Sequence, residues 1–420
     1  MKLKLLFALL IFQMGFAQQR TCDRQEILEQ MENNPVAKQA YLETQNKLRS
    51  ELKRLETNKG EITTVIIPVA VHFPLVSNAN SIEAKNCLID LAKSQINVLN
   101  ADYSATNADL SNWTSEAINF PMVSQVGNFK MQFVLATQNH PTGSGIADGT
   151  VAVTFGTAFL NAPNSDIKWA GYLNIVVREL PGNYVGLSPN LGASPAKGDC
   201  IFIAPYAFGA NQPGCGNYGQ GGTYLLGRTT THELGHYFQL EHPFNQGCAA
   251  TADCKTMGDY VCDTPAISTE SRADALGNCP SLVPACVSGE YALSMNFMDY
   301  APDKCAYMFT KGQEDRARAW YNLIAAEFKT NVLSSNTYLK SKFSMYPNPS
   351  KGSFTIQFED FTSNFAVEVF DTTGKVIYEN KYNQNSGLQH IVNLENVTQG
   401  IYFVNIKSDQ GMATKKIVIQ

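Results

Sequence analysis

Residues 231–242 read THELGHYFQLEH and hold three of the six histidines in this 420-residue chain. His232 and His236 are four apart, so on a helix both imidazoles project from one face, one turn above the other. That spacing lets two neutral rings reach a single metal ion. Glu233 lies beside the first ring, where a carboxylate takes a proton from metal-activated water instead of binding the ion. His242 follows His236 by six residues, too far along a straight helix to reach the same ion. Three imidazoles with one position left for water make a catalytic zinc arrangement, whereas structural zinc sites close with four protein ligands. The chemistry implied is hydrolysis, with His232, His236 and His242 as zinc ligands and Glu233 as general base.

Such a site needs a helix that ends soon after His236 and a chain that turns back to deliver His242. The patterning predicts that helix from about Tyr224 to Leu240. Ahead of it stand β-rich runs at Thr64–Phe73, Phe129–Ala136, Ala170–Val177 and Cys200–Ala204, with an amphipathic helix over Ser81–Leu99. This order of strands and helices reads as an α/β sandwich. Regular patterning then stops until a closing helix over Thr310–Phe328.

The segment from Asp23 to Leu55 is polar, with apolar residues at helical spacing, and Pro35 divides it into two helices. It cannot form a core alone; it either packs on another element or serves as a linker. From Phe343 the chain turns all-β in short alternating runs separated by Asn348-Pro349, Thr373-Gly374 and Gln399-Gly400. That pattern predicts a small β-sandwich of about eighty residues.

Lys2 and Lys4, an apolar run over Leu5–Phe12 and the small-residue Gly15-Phe16-Ala17 read as an export leader cleaved before Gln18. The run is shorter than the ~20 residues a membrane span needs, so no transmembrane segment is expected. In an exported chain, ten cysteines imply disulfides. Six of them lie between Cys248 and Cys305, in a Gly-, Pro- and Asn-rich stretch that needs covalent staples. A net charge of −5 without a basic cluster gives no support for nucleic-acid binding.

The histidine run resembles the H-E-x-x-H-x-x-G-x-x-H signature of metzincin metalloproteases. Gln239 stands where that signature has its turn glycine, a position where positive φ would strain glutamine by roughly 1–2 kcal/mol. MNFMDY (295–300) resembles a Met-turn, which implies that Met298 supports the base of the metal site. Tyr300 resembles the tyrosine that in several members contacts the metal or steadies the tetrahedral intermediate. GRTTTHELGH (227–236), GDYVCDTP (258–265), CAYMFTKGQEDR (305–316) and QINVLNADYS (95–104) narrow the resemblance, over roughly residues 60–330, to the pappalysin-like peptidases.

That resemblance implies an α+β chain. A metzincin-type catalytic domain at 61–330 would have a twisted mixed sheet, long helices and a Cys-rich irregular lower lobe. A leader at 1–17 and a prosegment at 18–60 would precede it. It further implies a calcium ion held by Asp259, Asp263 and Thr264, for which plain turn-forming residues are the alternative. Family prosegments carry a cysteine near the position of Cys22 whose thiolate can occupy the open zinc position; a disulfide or an unused thiol are the alternatives.

The opening MYPNP (345–349), Gly352, QGIYFVNI (399–406) and the closing KKIVIQ (415–420) resemble the sorting domain of the type IX secretion system. A linker at 331–342 and a sorting domain at 343–420 follow from it, with the secretion machinery as partner and a secreted or cell-surface location. Taken together, the expected activity is a zinc metalloendopeptidase acting on protein or peptide substrates. The competing reading is a cell-surface binding protein or adhesin whose zinc site is structural.

Overall fold

The computed structural model describes residues 22–420 apart from 58–62, 78–79, 162, 211–214, 221, 333–342, 359–363, 384–386, 395–396 and 409–410. The leader expected at 1–17 and most of the linker expected at 331–342 lie outside the described residues. The chain divides into two compact units: residues up to 330, and residues 331–420, with which the short segments 136–140 and 147–151 group.

In the first unit, β1 (Val65–Phe73) is nearly continuously apolar and buried from Ile67 onward, the pattern of a strand covered on both faces. It pairs in parallel with β2 (Met131–Leu135), β3 (Val153–Phe155) and β4 (Leu173–Val177). β6 (Cys200–Ile203) continues the parallel sheet beside β4, and the two-residue β5 (Gly186–Leu187) closes the edge antiparallel to β6. The sheet is therefore mixed, in the order β2-β1-β4-β6-β5. β3 and β5 carry too few residues for a period-2 signal, so sequence patterning does not reveal them.

Helix α3 (Ile82–Tyr103) starts at Ser81, whose hydroxyl accepts the Ala84 N–H at 3.2 Å. It buries Leu88, Leu91, Ala92, Ile96 and Leu99, a stripe at helical spacing. The helix runs one turn beyond the expected Leu99 because Asp102 and Tyr103 find buried partners on the histidine helix. After the single turn α4 (Trp113–Glu116) comes the histidine helix α5 (Arg228–Tyr237), shorter than expected at its start. Gly227 takes a left-handed φ of 73° there and breaks continuity with the 3-10 turn at Gly222–Tyr224. Helix α6 (Lys311–Ile324) begins with a capping box between Thr310 and Gln313, and one 3-10 turn replaces its expected last residues.

The Cys-rich stretch between α5 and α6 is almost wholly irregular. It is held by Cys248–Cys286, Cys254–Cys262 and Cys279–Cys305, while Cys87–Cys215 ties α3 to the approach to α5. Cys22 and Cys200 are buried free thiols. Two N-terminal helices, α1 (Arg24–Glu32) and α2 (Pro35–Thr57), pack on this unit with Met31, Tyr41 and Leu48 buried. Pro35 separates them by occupying the first position of α2, where its missing N–H has no helical partner to lose.

The second unit contains two antiparallel sheets. One has the order β10 (Val376–Tyr382), β9 (Phe365–Phe370), β12 (Gly400–Ser408), β13 (Gly411–Ile419). The other has β11 (Gln389–Asn393), β8 (Ser353–Phe358), β7 (Phe343–Tyr346). Alternate residues Phe354, Ile356 and Phe358 face Val367, Val369, Val404 and Ile406 in one core, as period-2 patterning requires.

Candidate metal centre

Helix α5 ends in a Schellman turn. Leu240 N–H reaches back to Gly235 O at 2.9 Å and Gln239 N–H to His236 O at 3.0 Å, with Gln239 at φ 67°. Gln239 thus adopts the left-handed conformation that the signature normally gives to glycine. The reversal brings His242 back beside the helix. Nε2 of His232 lies 3.2 Å from that of His236 and 3.2 Å from that of His242, and the last pair is 3.0 Å apart.

The protonation of two rings follows from their partners. His232 Nδ1 lies 2.7 Å from Phe297 O and His236 Nδ1 lies 2.8 Å from Leu240 O. A carbonyl only accepts, so both Nδ1 atoms carry the hydrogen and both Nε2 atoms present lone pairs. Lone pairs facing each other at that distance repel unless a cation lies among them. Nitrogens bound tetrahedrally to zinc at their usual bond length are roughly 3.3 Å apart, so this donor set fits the ion. Burial, reinforced by the His242 and His232 rings, holds His236 well below the usual imidazole range, as a neutral ligand needs.

Cys22 completes the cluster. Its Sγ and the three histidine donors lie within 4.8 Å of one another, and all four residues are buried. The thiol donates to Glu233 Oε2 at 3.7 Å. Tyr300 packs its ring 5.0 Å from that of His242, which stacks on Phe244 at 4.5 Å. The Tyr300 hydroxyl accepts the Cys22 N–H at 3.2 Å and faces Cys22 O at 3.4 Å, so it bonds the backbone of the N-terminal segment. Met298 is fully buried beneath α5; a Cβ on Gly235 would meet its sulfur at 2.3 Å. The preceding carbonyl, Phe297 O, is the one that orients His232.

Polar groups on α3 hold α5 from behind. Asp102 accepts the Thr231 hydroxyl at 2.7 Å and Arg228 Nη2 at 3.3 Å. Gln95 donates to Gly227 O and accepts from Thr230 and from Gly209 N–H. Asp303 accepts the Arg228 and Leu226 N–H groups at the start of α5, where a carboxylate complements the helix dipole. Motif and spacing alone do not single out these positioning residues. Their signal is nevertheless present: Gln95 and Asp102 are two helical turns apart within the otherwise apolar stripe of α3.

Of the three residues associated with calcium, two meet each other and the third bonds elsewhere. Asp259 Oδ2 accepts the Thr264 hydroxyl at 2.5 Å. Asp263 turns instead to the start of α6, accepting Thr310 Oγ1 at 2.6 Å and Gly312 N–H at 2.8 Å. Burial raises the Asp259 carboxyl to about 7, against the Thr264 and Val261 donors.

Residues 221–322 match the family described as pregnancy-associated plasma protein-A, and residues 344–420 match the secretion system C-terminal sorting domain. Mature mirolysin of Tannerella forsythia, solved with a cleaved peptide, is 30% identical over 61% of this chain and 92% of its own, with a TM-score of 0.46. The chain belongs to the pappalysin-like metzincins.

A promirolysin mutant of the same organism is 27% identical to this pappalysin-like chain, covering 72% of it and 94% of that chain, with a TM-score of 0.52. An extracellular metalloprotease of Verticillium alfalfae is 42% identical over 102 residues, 24% of this chain and 33% of that protein. This pappalysin-like chain spans about a third of the length of the first such fungal relatives. Its sorting domain and its extracellular relatives place it outside the cell or at the cell surface. Among the described residues no helix is long and apolar enough to cross a membrane.

Proposed function

We propose that the chain is a zinc metalloendopeptidase made as a latent precursor, with α1 and α2 as its prosegment. One observation carries this reading: three histidine Nε2 atoms face one another beside the buried carboxylate of Glu233. His232, His236 and His242 would hold the ion. Bound there, zinc would supply Lewis-acid polarisation of a water molecule and of the scissile carbonyl.

The chain's own groups do the rest. Glu233 takes the proton of the attacking water and hands it to the leaving amine. Phe297 O and Leu240 O fix two rings in the tautomer that leaves Nε2 free. With the N-terminal segment gone, the Tyr300 hydroxyl loses its Cys22 partners and becomes available to donate to the oxyanion of the tetrahedral intermediate. While the segment stays, the Cys22 sulfur fills the space where water and substrate would meet.

The four-donor cluster also favours a second reading, a closed structural site in a binding protein. Removal of the segment before Thr63 distinguishes the two, because only a protease gains activity by it. Limited proteolysis to that point, separation of the cut segment from the rest of the chain, then incubation with a mixed peptide library with and without a zinc chelator, is the test. Chelator-sensitive cleavage of internal bonds is expected. Its absence from chain so processed would favour the structural site.

A further inference from the structure

Two buried polar anchors tie the N-terminal helices to the turn that delivers His242. Arg24 opens α1, and its guanidinium grips Glu241 through both carboxylate oxygens, Nε to Oε2 at 2.8 Å and Nη2 to Oε1 at 2.6 Å. Both side chains are 0% exposed. Arg24 Nη1 also donates to Asn190 O at 3.4 Å. Midway along α2, Gln45 donates to Gln239 Oε1 at 3.1 Å and accepts Arg316 Nη2 at 2.7 Å. Arg316 in turn donates Nε to Gln239 O at 2.6 Å.

Glu241 and Gln239 flank Leu240, so the prosegment grips the turn on both sides. Neither anchor uses a histidine or Cys22. The Arg24–Glu241 fork has the bidentate, charge-assisted geometry of the stronger hydrogen bonds. A fully buried carboxylate tolerates loss of its partner poorly, so removing one member releases the pair instead of weakening it slightly. Gln239 gives the other half a reason: the residue that departs from the metzincin glycine carries the amide that Gln45 reads.

We propose that the prosegment is held by a second latch, Arg24–Glu241 together with Gln45–Gln239–Arg316, that works without Cys22 and without the metal. This rests on reading α1 and α2 as a prosegment. A single cut after α2 then leaves the segment bound and the site masked, and activation requires this latch to be broken. Residues at the edge of the zinc signature set how tightly the chain's own inhibitor binds.

The test is amide hydrogen exchange on the full chain in a Glu233→Ala background, which reads no hydrolysis and so is independent of the protease assignment. Arg24→Gln should speed exchange across α1 and α2 roughly a hundredfold. Gln45→Ala, which removes no charge, should speed it about tenfold and decides alone where Arg24→Gln does not fold. Cys22→Ser should leave both helices within about threefold of the parent, and amides of β1 and α5 report that the fold is intact. Unchanged protection in the anchor variants, or an opening in Cys22→Ser as large as theirs, would overturn the latch.

Discussion

Gly186 on β5 lies so close to Glu233 that a Cβ there would stand 2.5 Å from Cγ and 2.6 Å from Oε1 of the carboxylate. The edge strand and the proposed general base share a space that admits no methyl group. Gly186 has no left-handed φ, so the requirement is one of room, and a substitution there tests position without backbone strain. Gly186→Ala should displace the carboxylate and lower kcat/KM on a peptide substrate by roughly ten- to a hundredfold. Bound zinc should stay near the parent's, while the thermal midpoint should fall modestly through overpacking. Full activity in Gly186→Ala would show that the Glu233 position is not critical.

Gly235 and Met298 are coupled in the same way beneath the histidines. A methyl group on Gly235 would stand 2.3 Å from the Met298 sulfur and 3.1 Å from its Cε. Gly235→Ala should therefore destabilise the unit by about 1–3 kcal/mol through overpacking. Adding Met298→Ala should recover part of that loss, since the clash is with this one side chain. Thermal melts of the two single variants and the double variant decide it; strictly additive losses would count against the contact.

His72 gives the first unit an acid-sensitive core. It is fully buried in β1, with Nδ1 2.9 Å from Thr154 Oγ1 and Nε2 3.1 Å from Asn174 Oδ1. The Asn174 amide nitrogen donates to three carbonyls, so its oxygen accepts from His72 Nε2–H, and burial keeps the ring neutral. Burial pushes its pKa down to about 3. A depressed folded-state value means the contribution is present above the unfolded imidazole value, ~6.5, and is lost as pH falls toward 3. Between pH 7.5 and 5 that loss is about 2 kcal/mol. Urea midpoints should fall over this range in the parent, and the slope should be shallower in His72→Asn. Equal slopes would contradict the assignment.

Much of this architecture is legible in the sequence because local pattern and tertiary role agree. The i, i+4 histidines lie on a helix, β1 reads as a buried strand, and the alternating runs after Phe343 form antiparallel sheets. Gln239 marks a left-handed turn even without glycine, because the signature demands a reversal that the intervening residues must make. What is not legible depends on pairing at long range. Arg24 meets Glu241 across 217 positions and Gln45 meets Gln239 across 194, and no periodicity links such residues. β5 has two residues, and its Gly186 matters only through what approaches it. Asp263 lies within the motif associated with calcium, and its bonds to Thr310 and Gly312 at the start of α6 are set by where the chain folds and not by its neighbours.

The most direct test of the central claim is the substitution Glu233→Ala in chain from which the segment before Thr63 has been removed, with bound zinc and peptide hydrolysis measured on the same preparation. His232, His236 and His242 keep their donors in this variant, so zinc content near that of the parent is expected, with peptide hydrolysis reduced by at least about a thousandfold. A Glu233→Ala protein that binds zinc and still cleaves peptides at a rate near the parent's would contradict the assignment of Glu233 as general base.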